Sequence, residues 1–575
     1  MDYRDFCEKY DIKLNPSQEK AVLKTEGPTL MISVPGSGKT TVITARVGYL
    51  IYCRNVPPSE ILTVTFSVEA ARAMEEKFVM KFGEEKGRPT FRTIHSLSLD
   101  IIKTYCKKYR KKPHAILENP ENVLRKIVEN KTRSTCRDDV LKEVSANITK
   151  ARNLMYDRES IEKITVRKAD FSSVLSGYED FKRKKKVMDF DDIMIFALQI
   201  LEEFPDILEV YQSRFRYFNV DEAQDNSLVQ NRIMEKLSAK TSNLFMVGDE
   251  DQCIYGFRGA YPQAFFEFSE KWGEENIIKL ETNYRSLEAV LAGAESFISQ
   301  NKNRYKKRLV GARSGAGRVR TLDFRNLSDR NKYIGEDCKK YESAAVLSRN
   351  NASLVSLVCY LEKSGVDYSI KAGKNDFFEG TPVMDIIKII QAARGKEEDR
   401  GGAIDSFIKR VNKTRLKAIA SLTPDRVVSY IMNDLGFDRY LIDRARDGFS
   451  LAGFNSRLNI LESIAASSES MDDLVENVYR LQKLCMEGRR GKGLSLMTCH
   501  GSKGLEFQKV YLIDVCEGLF PSCEKTAPEY EEEVRLFYVG LTRAMDEAEI
   551  LSVKNAYYGE ALDSDFILYF KNQLY

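Results

Sequence analysis

Short runs of apolar and β-branched residues recur in the first half of the chain, each closed by small or charged residues. Residues 30–34, 61–66, 217–220 and 244–247 are of this kind and predict buried strands. Residues 91–96 repeat the layout with polar tips. Between these runs the apolar spacing lengthens, predicting helices over 42–50 and 70–78, and Pro16 with Ser17 predicts a further helix start. From about 97 to 203 the pattern is helical and lacks strand runs; strand–helix alternation returns at 217. The expectation is an α/β fold, with parallel sheets flanked by helices and a helical insert.

The segments at the strand ends carry the candidate chemistry. The first run leads through Ser33, Val34 and Pro35 into Gly36, Ser37, Gly38, Lys39, Thr40 and Thr41. Strand, glycine-rich turn and helix start in that order predict a phosphate-binding P-loop. The usual first glycine of that pattern is Ser33 here. Gly36 and Gly38 allow successive N–H groups to face one anion, and the helix N-terminus adds partial positive charge. Lys39 is expected at the β- and γ-phosphates of ATP and Thr40 on Mg²⁺. The run at 217–220 delivers Asp221 and Glu222 together. That pair suits metal-assisted hydrolysis, with Asp221 on the metal and Glu222 taking a proton from the attacking water. Gln18 has a carboxamide able to read an adenine edge, or is an ordinary surface residue. Phe66, at a strand end, is open to a core role or to base stacking. His95 is open to a phosphate contact or a helix cap.

Bulk properties narrow the class. With 575 residues the chain exceeds a single core, and 30% charged with 43% hydrophobic residues is ordinary for a soluble protein. A net charge of +4 permits a nucleic-acid partner without arguing for one. Basic runs at 107–112 and 182–186 read as solvated faces, although Tyr105 and Tyr109 beside the first favour a nucleic-acid surface. The 11 cysteines are scattered and only three histidines are present, so a zinc or iron–sulfur site is not expected and reduced cytoplasmic thiols are. Neither a signal peptide nor a membrane span is expected.

The order of P-loop, Asp221–Glu222 and Gly248-Asp249-Glu250-Asp251-Gln252, each at a strand end, resembles superfamily 1 helicases of the UvrD/Rep type. Segments 280–286, 496–507 and 532–544 look like the fourth, fifth and sixth motifs of that family, and 189–192 and 377–378 match lesser landmarks. The resemblance implies two RecA-like cores with ATP in the cleft between them: 1–90 with 205–280, and 281–385 with 490–575. Helical inserts would occupy 91–204 and 386–489. Strands of the second core would include 344–347, 494–497, 510–513 and 550–553.

Carried over by position, Gln18 and Tyr284 hold the base, Glu506 contacts the nucleotide sugar, and Gln252 senses the γ-phosphate. Gly36, Ser37, Gly38, Lys39, Thr40 and Thr41 bind the phosphates. Arg285 and Arg543 reach the γ-phosphate from the second core. Phe66, His95, Tyr255, Phe257, Arg258 and His500 line a single-strand groove. The implied activity is an ATP- and Mg²⁺-dependent DNA helicase moving 3′ to 5′ on single-stranded and tailed duplex DNA, as in DNA repair. An alternative is a DNA-sensing ATPase subunit that works with a separately encoded nuclease, for example in phage defence. The chain departs from the family pattern at Val68 and Glu69, where Asn and Lys are usual, and at Phe257, where Trp is usual. The second insert is short for the family, and with little chain beyond Arg543 a fused nuclease is not expected.

Overall fold

In the computed structural model of the chain, residues 1–573 are described except 135, 137, 168, 379–381, 396–402, 446–450 and 556–558. Parts of the 386–489 segment therefore lie outside the described residues. The chain divides into two units, Met1–Tyr284 with Asn303–Ala312, and Arg285–Lys302 with Arg313–Tyr575.

The first unit is built on six parallel strands: β1 (Thr29–Ser33), β2 (Ile61–Thr65), β3 (Thr90–Thr93), β4 (Tyr217–Val220), β5 (Leu244–Gly248) and β6 (Ile277–Leu280). Their spatial order is β3–β2–β4–β5–β1–β6. Every residue of β1, β2, β4 and β5 is buried, as both faces of the sheet are covered. Leu30 and Ile32 enter one core with Ile101 and Ala197, while Met31 enters the opposite core with Val42 and Phe78. Because the strands are parallel, their carboxyl ends share one edge, and the P-loop, Phe66, Asp221–Glu222 and Asp249–Gln252 all leave from it.

Four helices of this unit matter for the site: α1 (Pro16–Leu23), α2 (Lys39–Tyr52), α3 (Ile94–Lys108) and α4 (Asp138–Asn153). Two more are α5 (Phe171–Lys185) and α6 (Phe190–Glu203): α4 and α5 share a separate apolar core around Val144, Phe171 and Tyr178, while α6 joins the core of the sheet through Ile193 and Ala197. Residues 115–116 and 187–188 pair there as two short parallel strands. Two residues are too few to leave a period in the sequence, so the expectation of no strands fails at this point.

The basic run at 182–186 is also not uniformly a solvated face. Lys182 is buried, with Nζ 3.0 Å from Asp189 and 2.9 Å from Asp192. Arg152 pairs with the same two carboxylates and with Glu179, and the Tyr178 hydroxyl donates to Asp189 at 3.0 Å. Buried ions demand such saturation, because an unpaired one costs several kcal/mol. The network ties α4, α5 and α6 together.

The second unit has its own six parallel strands: β7 (Arg318–Phe324), β8 (Ala344–Ser348), β9 (Tyr368–Ile370), β10 (Leu494–Thr498), β11 (Phe507–Leu512) and β12 (Ala544–Val553), ordered β7–β12–β11–β8–β10–β9. Four of these answer the expected runs. The two edge strands were not expected, since β7 alternates Arg318, Arg320 and Asp323 with apolar residues and β9 is three residues long. Phe377 and Phe378 are core residues beside Ile386 and Ile387. Helix α7 (Glu288–Ile298) packs on α8 (Tyr530–Leu541), with Phe297 and Phe537 ring centres 4.7 Å apart. No helix among the described residues is long and apolar enough to cross a membrane.

Candidate nucleotide and nucleic-acid sites

The first candidate site lies at the carboxyl edge of the first sheet. Helix α2 opens on Gly38, whose φ of 83° suits glycine, and no side chain caps its first turn. A Cβ on Gly38 would also stand 3.0 Å from Gln18 Nε2. The Ser37 hydroxyl is buried without a hydrogen-bond partner. An uncapped helix N-terminus beside an orphaned hydroxyl and a lysine fits a phosphate chain. Lys39 Nζ stands 3.7 Å from Glu222 Oε1. Thr41 is exposed, and its hydroxyl accepts from Lys77 at 3.4 Å, on the side of the helix Val68–Phe82.

Glu222 sits in the left-handed region at φ 49°. A non-glycine residue held there marks local strain of the kind found at functional sites. Its N–H donates to Asp221 Oδ1 at 3.0 Å, and its carboxylate accepts from Gln224 Nε2 at 2.5 Å. Gln224 is fully buried, and its Oε1 accepts from the Asp249 N–H at 3.1 Å. Asp249 in turn accepts from Gln252 Nε2 at 2.7 Å. Glu222 and Gln252 are thus the ends of one hydrogen-bonded chain. The three buried carboxylates Asp249, Glu250 and Asp251 lie close enough to hold a cation, but Lys307 fills that place with its own ammonium. The metal candidates therefore remain Asp221, which is buried, and Thr40.

Gln18 is engaged at both ends of its carboxamide. Oε1 accepts from the Asn15 N–H at 3.0 Å, closing a capping box on α1, and Nε2 donates to Ser37 O at 2.9 Å. This placement makes Gln18 a tie between α1 and the P-loop, and each end of its carboxamide has a second bonding position. Tyr284 is half exposed, with its hydroxyl 2.9 Å from Asn15 Nδ2 and its N–H 2.9 Å from Gly36 O.

The aromatic candidates of this unit form a row. Phe66 and Tyr255 are stacked, with centres 4.9 Å apart and planes 13° apart, and Tyr255 lies 6.0 Å from Phe257. The Arg258 guanidinium covers both Tyr255 and Phe257. Phe66 and Phe257 are 39% and 48% exposed, so the core reading of Phe66 gives way to a surface one. The loop that carries Tyr255, Phe257 and Arg258 leans on α4, where a Cβ on Gly259 would meet Asn153 Cβ at 2.7 Å. Asn153 is fixed by Asp191 at 2.8 Å.

Thr93, not His95, caps α3, accepting from the Ser96 N–H at 3.2 Å. Burial pushes the His95 imidazole below its ordinary value, so at neutral pH it offers a neutral donor rather than a positive charge. His95 meets Phe190 edge-on at 6.5 Å. Phe190 is 64% exposed; the sequence marked 189–192 as a landmark without giving this ring a role. The signal was available: Asp189 and Asp192 are spent inward on the α6 capping box, which leaves the ring between them outside.

In the second unit, three separate segments converge. Arg285 Nε donates to Glu506 at 2.8 Å and Arg285 Nη1 to Thr542 O at 3.3 Å. The neighbouring Arg543 is buried and donates to Val539 O at 2.9 Å, Leu505 O at 3.4 Å and Thr542 Oγ1 at 3.2 Å. Two permanent cations and one carboxylate are thereby brought together where residues 285, 505–506 and 539–543 meet. His500 lies in the short turn His500–Ser502 that follows β10.

Family models match both parts of the chain: a UvrD/REP helicase N-terminal domain over 14–273, and a UvrD-like helicase C-terminal domain over 278–435 and 453–554. The chain belongs to the UvrD-like helicases. Among relatives of this helicase is the ATP-dependent DNA helicase PcrA of Staphylococcus epidermidis, 28% identical over 611 residues, covering 94% of this chain and 83% of the relative. The putative ATP-dependent DNA helicase YjcD of Bacillus subtilis is 29% identical over 601 residues, covering 93% and 78%. The PcrA of Bacillus subtilis is 27% identical over 619 residues, covering 94% and 83%. Each of these relatives is longer than the helicase described here.

Proposed function

We propose that the chain is an ATP-dependent DNA helicase that translocates 3′ to 5′ on single-stranded DNA and unwinds tailed duplexes. The observation that carries this reading is one loop. Residues 249–259 bear Gln252 at one end, hydrogen-bonded toward Glu222, and Tyr255, Phe257 and Arg258 at the other. A change at the phosphate end of so short a segment is felt at its aromatic end. Relatives named as DNA helicases support the substrate.

In this reading Lys39, Ser37 and the first turn of α2 bind the phosphates of ATP, and Tyr284 stacks on the base. Glu222 accepts the proton of the attacking water, and Gln252 orients toward the terminal phosphate. Arg285 and Arg543 supply positive charge as the phosphoryl group transfers. A Mg²⁺ ion held by Asp221 and Thr40 would neutralise phosphate charge. Phe66, Tyr255 and Phe257 stack on bases, with His95, Arg258 and His500 along the strand.

The test is strand displacement on a duplex with a 3′ tail against one with a 5′ tail. Unwinding of the 3′-tailed substrate alone is expected, and displacement from the 5′ tail alone would overturn the polarity. Phe257→Ala is expected to lower bases moved per ATP while leaving nucleotide affinity unchanged, since a base–aromatic stack contributes about 1–3 kcal/mol. Translocation kinetics with a phosphate-release sensor measure this, and unchanged coupling would refute the stacking role. Single-strand affinity should fall with salt, with a log–log slope of about −0.7 per phosphate contact. Titrations at several salt concentrations check it.

The second reading, a DNA-sensing ATPase that works with a separate nuclease, draws on the short 386–489 segment. DNA-stimulated ATP turnover without displacement from either tailed duplex favours it.

A further inference from the structure

The residues that would handle the terminal phosphate hang on a carboxylate, Asp249, that is itself held from an unexpected quarter. Asp249 lies at the end of β5 and is completely buried. One of its oxygens accepts from Gln252 Nε2, its N–H donates to Gln224 Oε1, and its other oxygen accepts from the ammonium of Lys307. Lys307 is itself buried, and its Nζ is also 3.0 Å from Glu250 and 3.1 Å from Asp251. Arg304 grips Asp251 with two nitrogens, at 3.0 Å and 2.7 Å. Both cations come from Asn303–Ala312, a stretch that clusters with the first unit although the chain on either side belongs to the second. Its far end, Val310–Gly311, pairs with Thr282–Asn283, and Asn283 Nδ2 donates to Pro35 O of the P-loop at 2.6 Å.

We infer that Lys307 is a positioning residue for ATP hydrolysis: by holding the Asp249 carboxylate it sets the orientation of Gln252. The inference rests on the reading of Gln252 as the γ-phosphate sensor. A lysine suits the task because three carboxylates meet at one point. Unanswered, they would repel one another and the loop would open. Burial alone would pull the Lys307 ammonium down, but the three carboxylates hold it well above its ordinary value, so it stays charged at any working pH. Arg304, one step further from Gln252, saturates Asp251 without touching Asp249. The same cluster therefore supplies an internal control.

The test compares Lys307→Met, the charge-balanced Lys307→Met with Glu250→Gln, Arg304→Gln and Gln252→Ala in the full chain. The double substitution removes one cation and one carboxylate together, and so keeps a folded protein if Lys307→Met alone does not. DNA-stimulated kcat is expected to fall about tenfold or more in the lysine variants, with KM for ATP within about twofold, as for displaced groups in the transition state. Arg304→Gln should lower the melting temperature while kcat stays within about twofold. In a Gln252→Ala background, removing Lys307 should cost little more. Normal kcat in the folded double variant would overturn the inference. So would an equal kcat loss in Arg304→Gln, or an undiminished loss from Lys307→Met in the Gln252→Ala background. A wild-type rate for Gln252→Ala alone would instead overturn the sensor reading, independently of Lys307.

Discussion

Glu222→Gln is expected to lower DNA-stimulated ATP turnover by about 10²–10⁴-fold, the usual weight of a general base. The substitution is nearly isosteric. An amide oxygen still accepts from Gln224 Nε2, which now donates to Glu222 at 2.5 Å, so the turn at φ 49° keeps its support. What goes is the ability to take a proton. The contact with Lys39, 3.7 Å away, also weakens, which frees that lysine for phosphate rather than removing it. Nucleotide and DNA affinities should therefore hold or rise while turnover collapses. Steady-state hydrolysis together with binding of a fluorescent nucleotide measures both. Loss of nucleotide binding would remove Glu222 from the role of base.

Arg543→Ala is expected to reduce turnover by about 10³–10⁵-fold if its guanidinium stabilises the transferring phosphoryl group. The same change has a structural cost, because Arg543 is buried and donates to Val539 O and Leu505 O. Val539 O keeps a donor in the Thr542 hydroxyl, but Leu505 O loses the guanidinium, and an unmet buried acceptor costs about 1–3 kcal/mol. Arg543→Lys separates the two effects. It keeps a cation in the same pocket but lacks the planar fork that can serve backbone and phosphate at once. Thermal melting should return toward the wild-type value in Arg543→Lys while the rate stays far below it. A lysine variant with near wild-type kcat would show that charge alone suffices and that the fork plays no part.

The sheet strands were legible because they are buried on both faces. Such strands need not alternate, so β1, β2, β4 and β5 stand out as dense runs of apolar and β-branched residues, with Asn219 the exception inside β4. The glycine-rich turn was legible because the backbone entering α2 needs glycine at φ 83°, with Lys39 directly after it as the first helical residue. The edge strands β7 and β9 lacked this signature, since half of each faces outward or the strand is too short. His95 shows the limit at a single residue. Two roles were open from its position, and the neighbouring Thr93 takes the cap.

Local order along the chain thus determined where strands end and which loops succeed them, because those features depend on neighbours a few residues away. Tertiary structure alone decided the pairing of charges. Lys182 sits in a basic run yet turns inward onto Asp189 and Asp192, and Lys307 answers Asp249 from 58 positions away. A charge has no periodicity to announce its partner. Whether it faces water or a buried carboxylate is settled only when distant segments fold together and desolvation forces the match.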